Sequence, residues 1–391
     1  MRIALLSWES LHSISVGGVA VHVTELAAAL HRRGHEVHLF TRLGSGQTTY
    51  EYIDGVHYHR CPFESHPDFL EETNRMCNSF VWHLGETEHF LDEGGFDVVH
   101  GHDWLCTRAL VQAKDTHHKP VVMTMHSTEY GRCGNAHCAG RSEHISHLEW
   151  EGAYVADRVI CVSDTLGREV ESLYQTPAKK ITTVYNGVNA SKYDGFIDPV
   201  PVRAGYGVGP VDPMVLFVGR MAWQKGPDIL LATVPAVLDD HPHTKFVFVG
   251  DGEMLPGLTQ MTAELGIAHA TRFLGYRNGS ELVNLFKSAD LVCVPSRNEP
   301  FGIVILEGWS AGKPVVTTRN GGPAEFVSHG YDGLVVVDSS DSIGWGVGTT
   351  FADFEHARWM GRNGRATAEA RFCWDTIAAR TEQIYRVARA G

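Results

Sequence analysis

Short apolar runs alternate with longer stretches whose apolar residues recur at helical spacing along most of this chain. That alternation marks parallel α/β architecture, because a strand covered by helices on both faces has no polar side to show. In the first half, Ile3–Leu6, Glu36–Phe40, Val98–His100, Val121–Met125, Val159–Val162 and Ile181–Val184 are expected strands. Val21 to His31 has helical period and ends in Arg32, Arg33 and Gly34, residues suited to a helix C-terminus. Thr48 to Arg60 alternates and contains Asp54-Gly55, which predicts a hairpin. From Asp194 to Asp212 both periods lapse while Pro199, Pro201, Gly205, Gly207, Gly209 and Pro210 crowd together, the composition of a linker. A second alternation follows in Val215–Val218, Phe246–Val249, Arg272–Leu274, Leu291–Val294, Val315–Thr317 and Leu334–Val337. The pattern predicts two Rossmann-like domains, 1–193 and 213–371, joined by a linker over 194–212 and facing across a cleft. In open parallel sheets ligands gather at the carboxyl ends of strands, so the loops that follow the strands are where chemistry is expected.

Composition narrows the picture. A length of 391 residues accommodates two cores, and 43% hydrophobic with 20% charged residues is ordinary for a soluble globular chain. No apolar run reaches membrane-span length, and Met1 to Ser7 reads as a first core strand instead of a signal peptide, so a cytoplasmic protein is expected. A net charge of −13 argues against a nucleic-acid partner and against association with anionic membrane. An acidic chain that binds an anion must then concentrate positive charge locally. The eight cysteines are scattered, several within apolar strands, and read as reduced buried thiols. There are no repeats at solenoid periods.

The segment Asn298 to Trp309 reads Asn-Glu-Pro-Phe-Gly-Ile-Val-Ile-Leu-Glu-Gly-Trp. It follows the apolar run Leu291–Val294 and is expected to pass from loop into a helix over Phe301–Ala311, closed by Gly312 and Pro314. Glu299 would lie in the loop and Glu307 within the helix. The helix N-terminus at Gly302, Ile303 and Val304 would offer unpaired N–H groups to a phosphate. Arg220 and Lys225 follow the strand Val215–Val218 and suit a diphosphate, the arginine as a bidentate donor and the lysine as a point charge. Gly17 and Gly18, between the first strand and first helix, allow backbone N–H groups to approach a phosphate or sugar. His22, one turn on, reads as the exposed face of that helix. His126 follows one first-half strand, and His102, Asp103 and Trp104 follow another.

Glu-x7-Glu within Glu-Pro-Phe-Gly resembles the signature of the retaining GT-B glycosyltransferases of family 4, a group related to glycogen synthases and sucrose-phosphate synthases. The other motifs stand in family order over almost the whole chain. The resemblance implies that Arg220 and Lys225 bind the nucleotide diphosphate and stabilise it as it leaves. It implies that Glu299 orients the hydroxyls of the donor sugar, Glu307 the ribose, and His126 the reacting sugar. Gly17 and Gly18 would close over the donor. Gly275 and Tyr276 would meet the base, while His102, Asp103 and Trp104 would line the acceptor side. The residues from about 372 to 391 would cross back to the first domain. The expected reaction moves a hexosyl group, glucosyl first, from UDP-glucose, ADP-glucose or a similar donor to a glucan, sugar or small-molecule hydroxyl. Neither a cofactor nor a metal is expected, since no Asp-x-Asp element is present. Cys133-Gly-Asn-Ala-His137-Cys138, with His144 and His147, holds zinc-ligand residue types at a spacing that matches no standard finger, and reads as a variable acceptor loop. Two other classes fit the architecture. A nucleotide-sugar epimerase would need ring-facing proton-transfer groups that cannot be assigned, and a sugar-binding protein would have no use for Arg220 and Lys225.

Overall fold

The computed structural model describes residues 1–91 and 94–390. They form two compact units, Met1–Asn186 with Trp374–Gly391, and Gly187–Cys373. Each is a parallel sheet sandwiched by helices.

In the first unit the strands are β1 (Arg2–Leu6), β2 (Glu36–Arg42), β3 (Tyr50–Ile53), β4 (Val56–Cys61), β5 (Val98–His102), β6 (Val121–Met125), β7 (Arg158–Cys161) and β8 (Ile181–Thr183). Their order is β3-β4-β2-β1-β5-β6-β7-β8, so the strand sequence reverses direction between β1 and β5. Among the described residues of this sheet only the β3–β4 pair is antiparallel; it is the hairpin at Asp54-Gly55. Ile3, Leu5, Val37, Leu39, Val98 and Val122 are fully buried, which is why the strands read as apolar runs. The helix Gly18–Arg32 lays Val23, Leu26, Ala27 and Leu30 on this core. It starts three residues earlier than its period suggests, because Gly17 supplies the extended cap and Gly18 to Ala20 make the first turn. The last helix, Trp374–Arg389, adds Trp374, Ile377, Ala378 and Tyr385 to the same core, and Glu382 accepts from Arg33 at 2.8 Å.

The second unit has β9 (Met214–Val218), β10 (Lys245–Val249), β11 (Thr271–Phe273), β12 (Leu291–Val294), β13 (Val315–Thr318) and β14 (Leu334–Val336), in the order β11-β10-β9-β12-β13-β14. This is the doubly wound arrangement, with its reversal between β9 and β12. Val215, Phe217, Leu230, Val234, Phe246, Phe248, Leu291 and Cys293 are buried together at its centre.

The expectation of a structureless linker over 194–212 is corrected. Pro199–Gly205 is a helix, with Pro199 in its first turn and the Asp198 carboxylate accepting the Val200 N–H at 3.0 Å. A proline in the first turn starts a helix, whereas the pattern was read as breaking one. Arg203 of this helix is buried and donates to the Ser288 carbonyl at 2.9 and 2.6 Å and to Asp290 at 2.8 Å. The segment therefore belongs to the second unit, and the chain divides at Asn186–Gly187. No helix among the described residues is long and apolar enough to cross a membrane.

Candidate active site

The reversal points of the two sheets are where neighbouring strands send their loops apart and leave a crevice. In the second unit β9 leads into Arg220 and Lys225, and β12 into Glu299. The Lys225 ammonium lies 3.0 and 2.9 Å from the two carboxylate oxygens of Glu299. Glu299 is only 6% exposed and also accepts from the Ser296 hydroxyl at 2.8 Å. Its backbone is clasped on both sides: its N–H donates to the Asn320 carbonyl at 3.0 Å, and its carbonyl accepts the Gly322 N–H at 2.9 Å. A Cβ on Gly321, whose φ is +102°, would sit 2.1 Å from that carbonyl oxygen, so only glycine fits there.

The Lys225 loop is bound as closely. Gly226 has φ +65°, and a Cβ there would stand 2.2 Å from the Pro295 carbonyl oxygen at the end of β12. Arg297 donates to both Asp228 oxygens at 2.8 and 2.6 Å and lies over the Trp223 ring at 4.9 Å. The N–H groups of Arg297 and Asn298 donate to the Gln224 carbonyl. The Lys225–Glu299 pair is thus fixed by two loops that hold each other. Arg220 stands apart from it, exposed; its carbonyl accepts the Ala222 N–H at 2.9 Å, and its guanidinium has no hydrogen-bond or ion-pair partner among the described residues.

The glutamate helix runs Ile303–Ser310, two residues later than expected at its start. Phe301 is instead drawn into the core against Phe326 and Phe372. No side chain caps the terminus at Gly302, so the N–H groups of Ile303 and Val304 face no competing carboxylate cap. Glu307 keeps part of its surface open, yet burial pushes its carboxyl up to about 7, against the hydrogen bond from Tyr193 and the charge of Lys192. Tyr193 lies in the short helix Ala190–Tyr193, which carries no charge pattern or motif, and sequence reading missed it. Gly275, at φ +69°, accepts the Gly250 N–H through its carbonyl at 2.9 Å, and the Tyr276 N–H donates to Asp251 at 3.1 Å with its ring exposed.

In the first unit Gly17 and Gly18 are exposed where the loop after β1 enters the helix Gly18–Arg32. The carboxylate of Glu9 accepts the N–H groups of Val16 and Gly17 at 2.6 and 2.8 Å, so these donors are already engaged. Glu9 was not singled out in the sequence, and only its place in the same loop could have drawn notice. Burial raises its carboxyl above the usual range.

His126, at the end of β6, is half-buried and meets His102 at 3.2 Å between ring nitrogens. Burial lowers it to about 3, and it stays neutral at ordinary pH. Asp103 takes the His126 N–H at 2.8 Å, and burial lifts its carboxyl to about 6 against the pull of that bond. The reading of His22 as an exposed helix residue is corrected: it is buried, bonds Asn186 at 2.7 Å, and packs its ring on His102, His126 and Trp374. The final helix holds the cluster from behind, with Tyr385 bonded to His100 at 2.7 Å. The acceptor-side reading of His102, Asp103 and Trp104 is also corrected in part. His102 is buried, and Trp104 is 6% exposed in a small core with Ile145 and Leu148, against which Phe69 and Leu105 pack.

Ligand atoms of His22, His102 and His126 lie within 4.8 Å of one another, as do those of Glu36, His38 and His57. Either set has donors a divalent transition metal accepts. Among the described residues no such set includes Cys133 or Cys138.

Two family models match the chain: glycosyltransferase family 4 over residues 16–192 and glycosyl transferases group 1 over residues 203–367. An uncharacterised glycosyltransferase of Methanocaldococcus jannaschii is 37% identical over 392 residues, covering 99% of this chain and 98% of that one. A glycogen synthase of Mycobacterium tuberculosis is 29% identical over 409 residues, covering 100% and 96%. The solved structure of a sucrose-phosphate synthase from Thermosynechococcus elongatus shares the fold at a TM-score of 0.81 and 23% identity, covering 100% and 99%. The chain belongs to the family 4, group 1 glycosyltransferases and has the GT-B fold.

Proposed function

We propose that the protein is a retaining hexosyltransferase that takes a nucleoside diphosphate sugar, glucosyl first among donors, and transfers its sugar to a hydroxyl acceptor. The observation that carries this reading is the Lys225–Glu299 pair at the reversal point of the second sheet, in the loops that also carry the exposed Arg220 and the uncapped helix terminus after Gly302. A diphosphate supplies the negative charge that Arg220 and the terminus lack, and competes with Glu299 for Lys225. Glu307, already accepting a hydroxyl from Tyr193, is built to accept hydroxyls from a ribose.

The sugar's C1–O bond to phosphate breaks as the diphosphate departs onto Arg220, Lys225 and the N–H groups after Gly302, which stabilise the developing charge. The acceptor oxygen forms its bond to C1 from the same face, and its proton passes to the departing phosphate oxygen. Glu299 holds sugar hydroxyls as positive charge grows on the ring, and neutral His126 donates or accepts beside it without adding charge. Gly17 and Gly18 cover the donor, and Gly275 with Tyr276 meets the base. The acceptor, a glucan, sugar or small molecule, is taken by loops of the first domain. A metal is not required, because two cations and a helix dipole already oppose the leaving charge.

The test is NMR of the fresh product from UDP-glucose or ADP-glucose, with and without EDTA. Retained anomeric configuration and chelator-resistant turnover support the reading. An inverted linkage, or nucleoside diphosphate released equally with no acceptor present, overturns it.

A further inference from the structure

Three histidines meet at the carboxyl end of the first sheet: His22 from the helix Gly18–Arg32, His102 at the end of β5, and His126 directly after β6. A ligand nitrogen of each lies within 4.8 Å of the others. His102 Nδ1 and His126 Nε2 are 3.2 Å apart. Two imidazole nitrogens on a tetrahedral zinc stand about 3.3 Å from each other, which is the same spacing. The ring of His22 crosses those of His102 and His126 at 63° and 78°, so it meets the pair from a third direction.

The hydrogen bonds these rings do not make point the same way. His22 is 3% exposed, and its Nδ1 bonds the Asn186 side-chain oxygen at 2.7 Å. An amide oxygen only accepts, so the proton sits on Nδ1 and Nε2 is a bare lone pair. That Nε2 is buried with no hydrogen-bond partner among the described residues, and so is the Nε2 of His102, a residue 1% exposed. Burial holds all three rings neutral, the form that ligates a metal. A metal-bound histidine donates through its second nitrogen as His22 does to Asn186, which fixes tautomer and orientation. The other set, Glu36, His38 and His57, lacks this geometry. His38 and His57 stack at 4.4 Å and 11°, so their nitrogens lie in parallel planes and do not converge, and Glu36 already accepts from Arg2 at 2.9 Å.

We propose that His22, His102 and His126 form a binding site for a divalent transition ion, zinc first, held by three imidazole nitrogens. His126 is half-buried and is the side from which the ion enters. An ion held there occupies the ring that the proposed reaction sets beside the sugar, so bound zinc inhibits transfer. That consequence rests on the transferase reading; the site itself does not, because it is read from metal binding alone.

The test strips the full chain with EDTA, removes the chelator, and titrates with cobalt(II) by visible absorption and with zinc by calorimetry. We expect a single equivalent of cobalt with the intense bands of a four-coordinate ion, displaced by zinc. His22→Gln and His102→Gln should each weaken zinc roughly hundredfold or more, whereas His57→Gln, which breaks the other set, should leave it unchanged. Asn186→Asp should tighten zinc about tenfold, since a carboxylate makes the His22 ring a better ligand, an effect that altered packing does not produce. Cobalt bound only in the weak six-coordinate form means that the lone pairs face water alone and overturns the site. Equal zinc affinity in His22→Gln, His102→Gln and Asn186→Asp overturns it as well. Turnover of UDP-glucose unchanged by an equivalent of bound zinc overturns the inhibition.

Discussion

Lys225→Ala should destabilise the second unit by about 2–3 kcal/mol. At 2.9 Å and an effective dielectric near 20 the gross attraction of such a pair is roughly 6 kcal/mol, most of it offset by desolvation. Removing one partner of a buried pair costs on the order of 3–5 kcal/mol, because the other charge is left stranded. The lysine side chain is 27% exposed while the glutamate is 8%, which lowers the figure for Lys225→Ala, since water then reaches the vacated space. Glu299→Gln should cost less, about 1 kcal/mol, because its amide still accepts from Ser296 and the freed ammonium can meet solvent. The double variant should fall short of the sum by about 1–2 kcal/mol. The assay is urea titration of the full chain, with amide exchange of β9 and β12 peptides reporting the second unit. Affinity for the nucleoside diphosphate separates the roles: Lys225→Ala should weaken it, whereas Glu299→Gln should keep it while turnover collapses. Additive single and double variants, or a cost below about 0.5 kcal/mol for Lys225→Ala, would refute the coupling argued from this geometry.

Arg220→Ala should leave stability within about 0.5 kcal/mol, since its side chain is exposed and unpartnered, yet weaken UDP or ADP binding at least tenfold by calorimetry. Glu307 holds its proton up to about pH 7 in the folded state against 4.5 for the ordinary carboxyl. Stability should therefore fall as pH rises from about 4.5 to about 7, where the unfolded chain has already released that proton, and Glu307→Gln should flatten the slope in urea titrations across this window. Gly321→Ala should cost about 3 kcal/mol or more, because the new Cβ meets the Glu299 carbonyl at 2.1 Å in a left-handed backbone, and turnover should fall with it.

The strands were legible because a strand buried on both faces writes itself as an apolar run, whereas the reversal between β1 and β5, or β9 and β12, lies in the spatial order of the strands. What the sequence conceals is which side chains meet across those loops. Lys225 and Glu299 are 74 residues apart, and their contact depends on Gly226 lying against Pro295 and on Gly321 lying under Glu299. Each glycine is visible as a residue, but the approach it permits is not. His22 and Trp104 were misjudged for the same reason. A polar residue one turn into an amphipathic helix, or an indole beside an aspartate, carries no mark of the neighbour that buries it. Here the neighbours are Asn186 for His22 and Phe69 for Trp104. The helix Pro199–Gly205 failed for a local reason, since proline breaks a helix from within and starts one from its first turn.

The pairing itself bears on how such a site works. A strand-end cation left alone would be hydrated and mobile, and a buried carboxylate left alone would take up a proton. Held together by two interlocking loops, both are placed. In the proposed reaction a diphosphate arriving at Lys225 would meet an ammonium whose position is already set, and Glu299, relieved of part of its partner, would take hydroxyls from the sugar that arrives with the diphosphate. On the proposed reading the ion pair works as an exchange: the diphosphate replaces Glu299 at Lys225, and sugar hydroxyls donate to the Glu299 carboxylate in place of the ammonium. That argument requires the two halves of the donor to be felt together. UDP or ADP alone should loosen Lys225 from Glu299 without engaging the carboxylate, so the intact nucleotide sugar should bind tighter than the nucleoside diphosphate in the unaltered protein, and lose that advantage in Glu299→Gln. Equal affinities for the two ligands in the unaltered protein would mean that Glu299 never takes the sugar.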